Sequence, residues 1–159
     1  MAWDFQVEPT PRAYYYIARA YEALGKNPEA EQAYKESTHG VGFLSGDRDS
    51  WNADNFYAVL SLEKLGDKQR AESLIPHFQG FAEAEMNETN PVHRGKARYL
   101  LALVANHAGK KQEAVQYLKD SSAALPHYLP PRYALRGDEL DSLVYGYSRA
   151  HSRDRCKTL

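Results

Sequence analysis

Residues 12–34 read RAYYYIARAYEALGKNPEAEQAY. An apolar helical run ends at Gly25, a short polar turn follows, and Ala30 stands five residues beyond the glycine. The arrangement returns at 55–71 as NFYAVLSLEKLGDKQRA, around Gly66 and Ala71. It returns again at 98–114 as RYLLALVANHAGKKQEA, around Gly109 and Ala114. The glycines are 41 and 43 residues apart. An internal period of this size is the signature of a stacked repeat, because each unit is too small to bury its own apolar face.

Composition agrees. The 159 residues include 21 Ala and 16 Leu, against 13 β-branched residues in all. Ala and Leu favour helix, and strands want Val, Ile and Thr, so the fold class is all-α. Twelve tyrosines fill the role that Ile and Val usually take in a core. The length is that of one domain and allows a sizeable core.

Local signals divide the chain. Thr10-Pro11, Asn27-Pro28 and Asn90-Pro91 each set a capping residue before a proline, whose missing N–H costs nothing at the first helical position. Each repeated glycine sits where a helix ends in a left-handed residue. These signals predict helices over 11–24, 28–38, 51–65, 68–87, 91–108, 111–124 and 138–149, the last opening with Asp138. Pro76 should kink or break the fourth. Residues 39–50, with three glycines, read as a loop, and 126–137, with Pro126, Pro130 and Pro131, as a packed connector.

The pattern resembles the tetratricopeptide repeat, a helix-turn-helix unit of ~34 residues. The first repeat supplies Tyr14, Ile17, Ala18, Tyr21, Gly25, Ala30, Tyr34 and Ser37 at the family's motif positions. The third supplies Arg98, Leu101, Ala102, Ala105, Gly109, Ala114, Leu118, Ser121 and Pro126. The second supplies Ala58, Val59, Leu62, Gly66, Ala71 and Ile75, with Phe78 where a small residue is usual. The resemblance implies a right-handed superhelix of about three helix pairs (11–38, 51–87 and 91–126) in a single domain. A polar-faced capping helix at 138–149 and a basic tail at 150–159 would complete it.

The resemblance also implies where function lies. In this family the first helix of each pair lines a concave surface, with its second, fifth, ninth and twelfth residues pointing in. Those positions are Arg12, Tyr15, Arg19 and Glu22; Ala53, Phe56, Leu60 and Glu63; and Lys96, Tyr99, Leu103 and Asn106. Tyr15, Phe56 and Tyr99 would form an aromatic ladder, edged with positive charge by Arg12, Arg19 and Lys96. The implied activity is peptide or protein binding in an aromatic groove, without catalysis, and the expected location is cytoplasmic. Chaperone-binding members use Lys and Asn at the fifth and ninth positions of the first repeat; here Tyr15 and Arg19 stand there, so that clamp is absent as a pattern. The alternative is an accessory domain docking on a catalytic partner through exposed Trp3, Phe5, Tyr145 and Tyr147. Exposed repeat ends could also pair two copies.

Other chemistry is poorly supported. A net charge of −1 is unlike a nucleic-acid-binding domain. No apolar run reaches membrane-spanning length, and the N-terminus lacks the basic and apolar parts of a secretory signal. No two of the six histidines are three or four apart, so no helix presents a metal pair. Neither a P-loop nor a dinucleotide fingerprint is present, and no cofactor is expected. Glu83, Glu85 and Glu88 read as a solvated face, His107 as a cation at a helix C-terminus, and Cys156 as a tail thiol.

Overall fold

Three glycines have positive φ: Gly25 (72°), Gly66 (87°) and Gly109 (76°). They are the three repeated glycines, and each reverses the chain between two helices. Past each one the same hydrogen bond recurs at 2.9 Å: Lys26 N–H to the Tyr21 carbonyl, Asp67 to Leu62, and Lys110 to Ala105. These bonds satisfy last-turn carbonyls that a helix leaves without partners. A side chain at any of the three would strain the left-handed backbone.

The structure is a computed structural model and describes residues 9–39 and 48–136. Its α-helices are α1 (Pro11–Ala23), α2 (Asn27–Thr38), α3 (Ala53–Lys64), α4 (Lys68–Met86), α5 (Pro91–His107), α6 (Lys111–Ala124) and α7 (Leu129–Arg136). A 3₁₀ turn, Arg48–Trp51, precedes α3. No strand occurs among the described residues. The expected helix at 138–149, the tail at 150–159 and Cys156 lie outside them. No helix among the described residues is long and apolar enough to cross a membrane.

Three local readings are corrected. Asn27 does not cap α2: it is the helix's first residue, and Lys26 before it makes no side-chain cap bond. Thr10 and Asn90 do cap, accepting from Ala13 N–H and Val92 N–H. Pro76 does not break α4, which continues from Lys68 to Met86. The connector 126–137 contains α7, because Pro130 and Pro131 fall in a first turn whose amides have no intrahelical partner anyway.

The pairs α1/α2, α3/α4 and α5/α6 stack in order. Helix α3 packs on both α1 and α2, and α5 on both α3 and α4. The first helices of the pairs therefore touch one another in a row. Small residues set the close crossings: Ala18, Ala71, Ala102 and Ala114 have no exposed surface. Tyr34, Leu62 and Leu118 fill the space beside them.

One polar contact repeats with the period. Ser37 Oγ donates to the Pro11 carbonyl (2.9 Å), and Ser121 Oγ to the Gly95 carbonyl (2.7 Å). Both tie a second helix to the N-terminal part of its partner, Pro11 being the first residue of α1 and Gly95 the fifth of α5, and both serines are fully buried. Gly95 makes the second tie possible. A β-carbon built there lies 2.5 Å from both Cγ and Cδ1 of Leu125. Gly95→Ala should therefore cost about 1–3 kcal/mol of overpacking, more than the ~1 kcal/mol that Ala gains over Gly in a helix. Leu125→Ala in the same chain should recover part of the loss, read as a coupling in a urea-denaturation double-mutant cycle. Simple additivity would show that Leu125 is not the obstacle.

Candidate functional site

The row α1, α3, α5 carries every residue that the family resemblance points to. It does not present them as one aromatic groove. Tyr15 is 4% exposed, and Phe56 and Tyr99 are completely buried. Each turns toward a different part of the interior. Tyr15 packs on Tyr34 of α2, Phe56 edge-on to Phe78 of α4, and Tyr99 edge-on to Tyr128. The expected exposed ladder is thus a set of core rings. Stacked neighbours bury this position, because each ring fills the space between its own helix and the next element.

A different tyrosine series does cross the row. Tyr57 Oη lies 3.2 Å from Tyr16 Oη and 3.3 Å from Tyr99 Oη, so three hydroxyls link α1, α3 and α5. Tyr57 and Tyr99 are fully buried, whereas Tyr16 is half-exposed. Arg12 covers the open end, its guanidinium 5.8 Å and 5.5 Å from the Tyr16 and Tyr57 ring centres. Tyr57→Phe should cost about 1–3 kcal/mol, because a buried hydroxyl loses its partner without access to water. Tyr16→Phe should cost less, since water can replace its bond. Equal losses in urea denaturation would refute the chain of hydroxyls.

The remaining candidates fall in two clefts. The first, about 470 Å³, lies across the middle of α1 and the C-terminal halves of α3 and α5. Tyr15 and Arg19 come from α1, Leu60, Glu63 and Lys64 from α3, and Leu103, Asn106 and His107 from α5. The second, about 400 Å³, lies at the N-terminal ends of α3 and α5 and holds Asp54, Lys96, Phe81, Glu85, His93 and Tyr128 among its walls. Lys96 therefore belongs to a different cleft from Arg19, Leu60 and Leu103. Arg12 stands nearest the second, 3.7 Å from Asp54.

Charge around the first cleft is internally matched. Glu22 Oε2 lies 3.2 Å from Arg19 Nε, and Lys64 Nζ is 3.1 Å from Glu22 Oε1. His107 Nε2 lies 2.7 Å from Glu63 Oε1, bridging α5 to α3. Such half-exposed pairs contribute at most ~1 kcal/mol each to stability. Their larger effect is to cancel the positive edge expected from Arg19, as Asp54 does for Arg12 beside the second cleft. Burial pushes the Tyr15 phenol above its ordinary range despite the neighbouring Arg19, so it stays a neutral donor. Burial likewise raises Tyr34 and Tyr128.

Two residues depart from their sequence reading. Glu85 is not on a solvated face: it is 7% exposed, and His93 Nδ1 lies 2.9 Å from its Oε2. The signal was available in the i, i+4, i+7 apolar spacing of Phe78, Ala82 and Glu85 on α4, which puts the glutamate on the buried stripe. His107 does end α5, and it also reaches Glu63. Among the described residues no group of three or more His, Cys, Asp or Glu could hold a metal ion.

Residues 12–37 match the family model of the tetratricopeptide repeat. No curated protein and no solved structure matches the chain. The matched segment is α1, its glycine turn and α2, and the same turn, buried alanine and stacking recur in the two following pairs. Repeats of this kind generally mediate protein–protein interaction and are typically non-catalytic. The family match thus supports a tetratricopeptide repeat at the first pair, and the two following pairs echo it in turn, buried alanine and stacking.

Proposed function

We propose that this chain is a non-enzymatic interaction module that takes a peptide segment into the cleft across α1, α3 and α5. The observation that carries the reading is the cleft of about 470 Å³, spanning all three repeats. Leu60 and Leu103 give it an apolar floor, and the matched pairs Arg19–Glu22–Lys64 and His107–Glu63 flank it. A rim with its charges already paired favours a peptide anchored by an apolar side chain over one anchored by charge. The buried Phe56 and Tyr99 serve the groove indirectly, by holding the helices that form it.

The test is selection from a displayed random-peptide library, followed by titration of the enriched peptides. Leu60 is half-exposed, so Leu60→Glu should leave the helical circular dichroism unchanged. It should weaken the selected peptides at least about tenfold, equivalent to ~1.4 kcal/mol, by setting an unpaired charge on the apolar floor. Lys96→Glu, in the other cleft, should leave their affinity unchanged. The reverse ranking would move the site to the second cleft, and a library without enrichment would overturn the peptide reading.

A further inference from the structure

One surface of α3 and α5 is buried in the stack, and its counterpart on α1 is open. Counted from the repeated glycines, Ile17 and Ala20 of α1 correspond to Ala58 and Ser61 of α3 and to Leu101 and Val104 of α5. Ala58 and Ser61 are fully buried, and Leu101 and Val104 are 8% exposed. The preceding pair packs on this side: Ser61 Oγ lies 2.7 Å from Ser37 Oγ of α2, and α5 packs on α3 and α4. Helix α1 packs on α2 and α3 and has no preceding pair among the described residues. There Ile17 is 42% exposed, Leu24 is 70% exposed, and Ala20 is open. By contrast, the open positions of α2 are polar: Glu29, Glu31, Gln32 and Lys35. The open side of α1 is thus the surface through which the other repeats dock.

That surface is also complementary to itself. Ala13, Ile17, Ala20 and Leu24 follow a four-three-four spacing, the seam of two packed helices. At about 100° per residue they fall within roughly 60° of arc, on the side away from the buried Tyr15 and Ala18. In an antiparallel pair of such helices, registered between Ala18 and Arg19, Ile17 meets Ala20 of the second copy and Leu24 meets Ala13. Each large side chain then faces a small one, the alternation by which facing layers interdigitate. Tyr14 and Tyr21 flank the seam on one side, where Tyr14 of one copy comes beside Tyr21 of the other. A parallel pairing would instead oppose Ile17 to Ile17 and leave gaps between the alanines.

We propose that α1 is the interface of a two-fold dimer, pairing antiparallel with α1 of a second copy through Ala13, Ile17, Ala20 and Leu24. An interface of this kind uses the same patch on both partners, so association stops at two copies. Thirteen residues make a helix about 20 Å long, so the contact is smaller than the ~800 Å² per partner of a standard interface. Pairing is therefore weak and concentration-dependent, with a dissociation constant in the micromolar range. Tyr15 and Arg19, which line the first cleft, lie on the far side of α1 from the seam, so both copies keep that cleft open. The dimer does not depend on what the cleft binds.

Sedimentation equilibrium of the full chain from roughly 1 µM to 1 mM, a range that brackets such a constant, is the test. The mass should climb from that of one chain toward that of two and stop there. Leu24→Glu, at a position 70% exposed, should weaken pairing at least about tenfold with the helical circular dichroism unchanged. Ala20→Leu adds apolar surface, yet it should also weaken pairing about tenfold, because its side chain collides with Ile17 of the second copy. The exchange Ile17→Ala with Ala20→Ile should restore wild-type pairing, since each large residue again faces a small one. A monomer at every concentration overturns the proposal, as does a mass that grows past two copies. So does a dimer unchanged by Leu24→Glu, or one tightened by Ala20→Leu, which would mark an apolar surface that associates without register.

Discussion

The Tyr15→Ala/Tyr99→Ala double variant is expected to lose its cooperative fold at 25 °C. Both rings are in the core, at 4% and 0% exposure. Truncating a buried aromatic to alanine costs about 3–5 kcal/mol, from lost transfer energy and the cavity left behind. The two rings share one neighbour, Tyr57: Tyr15 touches Tyr16, Tyr34 and Tyr57, while Tyr99 touches Tyr128 and pairs its hydroxyl with that of Tyr57. Tyr57 therefore couples the two sites, through its ring to Tyr15 and its hydroxyl to Tyr99. Their costs add with a coupling through Tyr57, to a total of up to about 6–10 kcal/mol, against a total stability of about 5–15 kcal/mol for an ordinary domain. Urea titrations followed by circular dichroism should show each single variant with a lowered midpoint and the double variant without a native baseline. A double variant with the wild-type midpoint would mean that the rings are peripheral after all. Loss of a partner in this variant would therefore report unfolding; Leu60, on the half-exposed floor, is the residue that separates binding from folding.

The architecture was legible because it rests on local chemistry. A glycine needed at φ near +75° has few substitutes, so Gly25, Gly66 and Gly109 mark the turns by type as well as by spacing. Ala18, Ala71, Ala102 and Ala114 mark close crossings for the same reason, since nothing larger fits. The serine ties were legible in hindsight: Ser37 and Ser121 are 84 residues apart, as are their acceptors Pro11 and Gly95. What failed were signals whose meaning depends on context. A proline disrupts a helix interior but suits a first turn, and the Pro130-Pro131 pair belongs to the first turn of α7.

The site was less legible than the fold, for a physical reason. Helix periodicity tells which residues share a face but not what covers it. Tyr15, Phe56 and Tyr99 do share a register relative to their glycines. Register cannot reveal that Tyr34, Phe78 and Tyr128 come to lie against them, because that depends on how each pair leans on the next. Nor does one sequence position show that Arg19 and Lys64, 45 residues apart, share the carboxylate of Glu22. Net positive edges read from single residues disappear once the tertiary partners are in place.

Phe78→Ser should cost about 3–5 kcal/mol, although it brings the second repeat closer to the other two. Counted back from the glycine periods, Phe78 stands where Ser37 and Ser121 stand, and Asn52 where Pro11 and Gly95 offer their carbonyls. A serine at 78 could donate to the Asn52 carbonyl, a bond with a net contribution of about 1 kcal/mol. The ring it would replace is fully buried. It packs edge-on to Phe56 at 5.3 Å and to Trp51 at 5.1 Å, and His77 beside it stacks on Trp51 at 4.9 Å. The 3₁₀ turn Arg48–Trp51 rests on α4 through these rings, so the loss spreads beyond one side chain. Burial of a large ring outweighs one recovered hydrogen bond by several-fold, and the family-like residue is the destabilising one here. Thermal and urea midpoints should both fall, with a red shift in Trp51 emission as its edge contact is lost, read in the Trp3→Phe background. A neutral or stabilising Phe78→Ser would show instead that the second pair can close as its neighbours do, and that the aromatic cluster adds little to what the serine tie already provides.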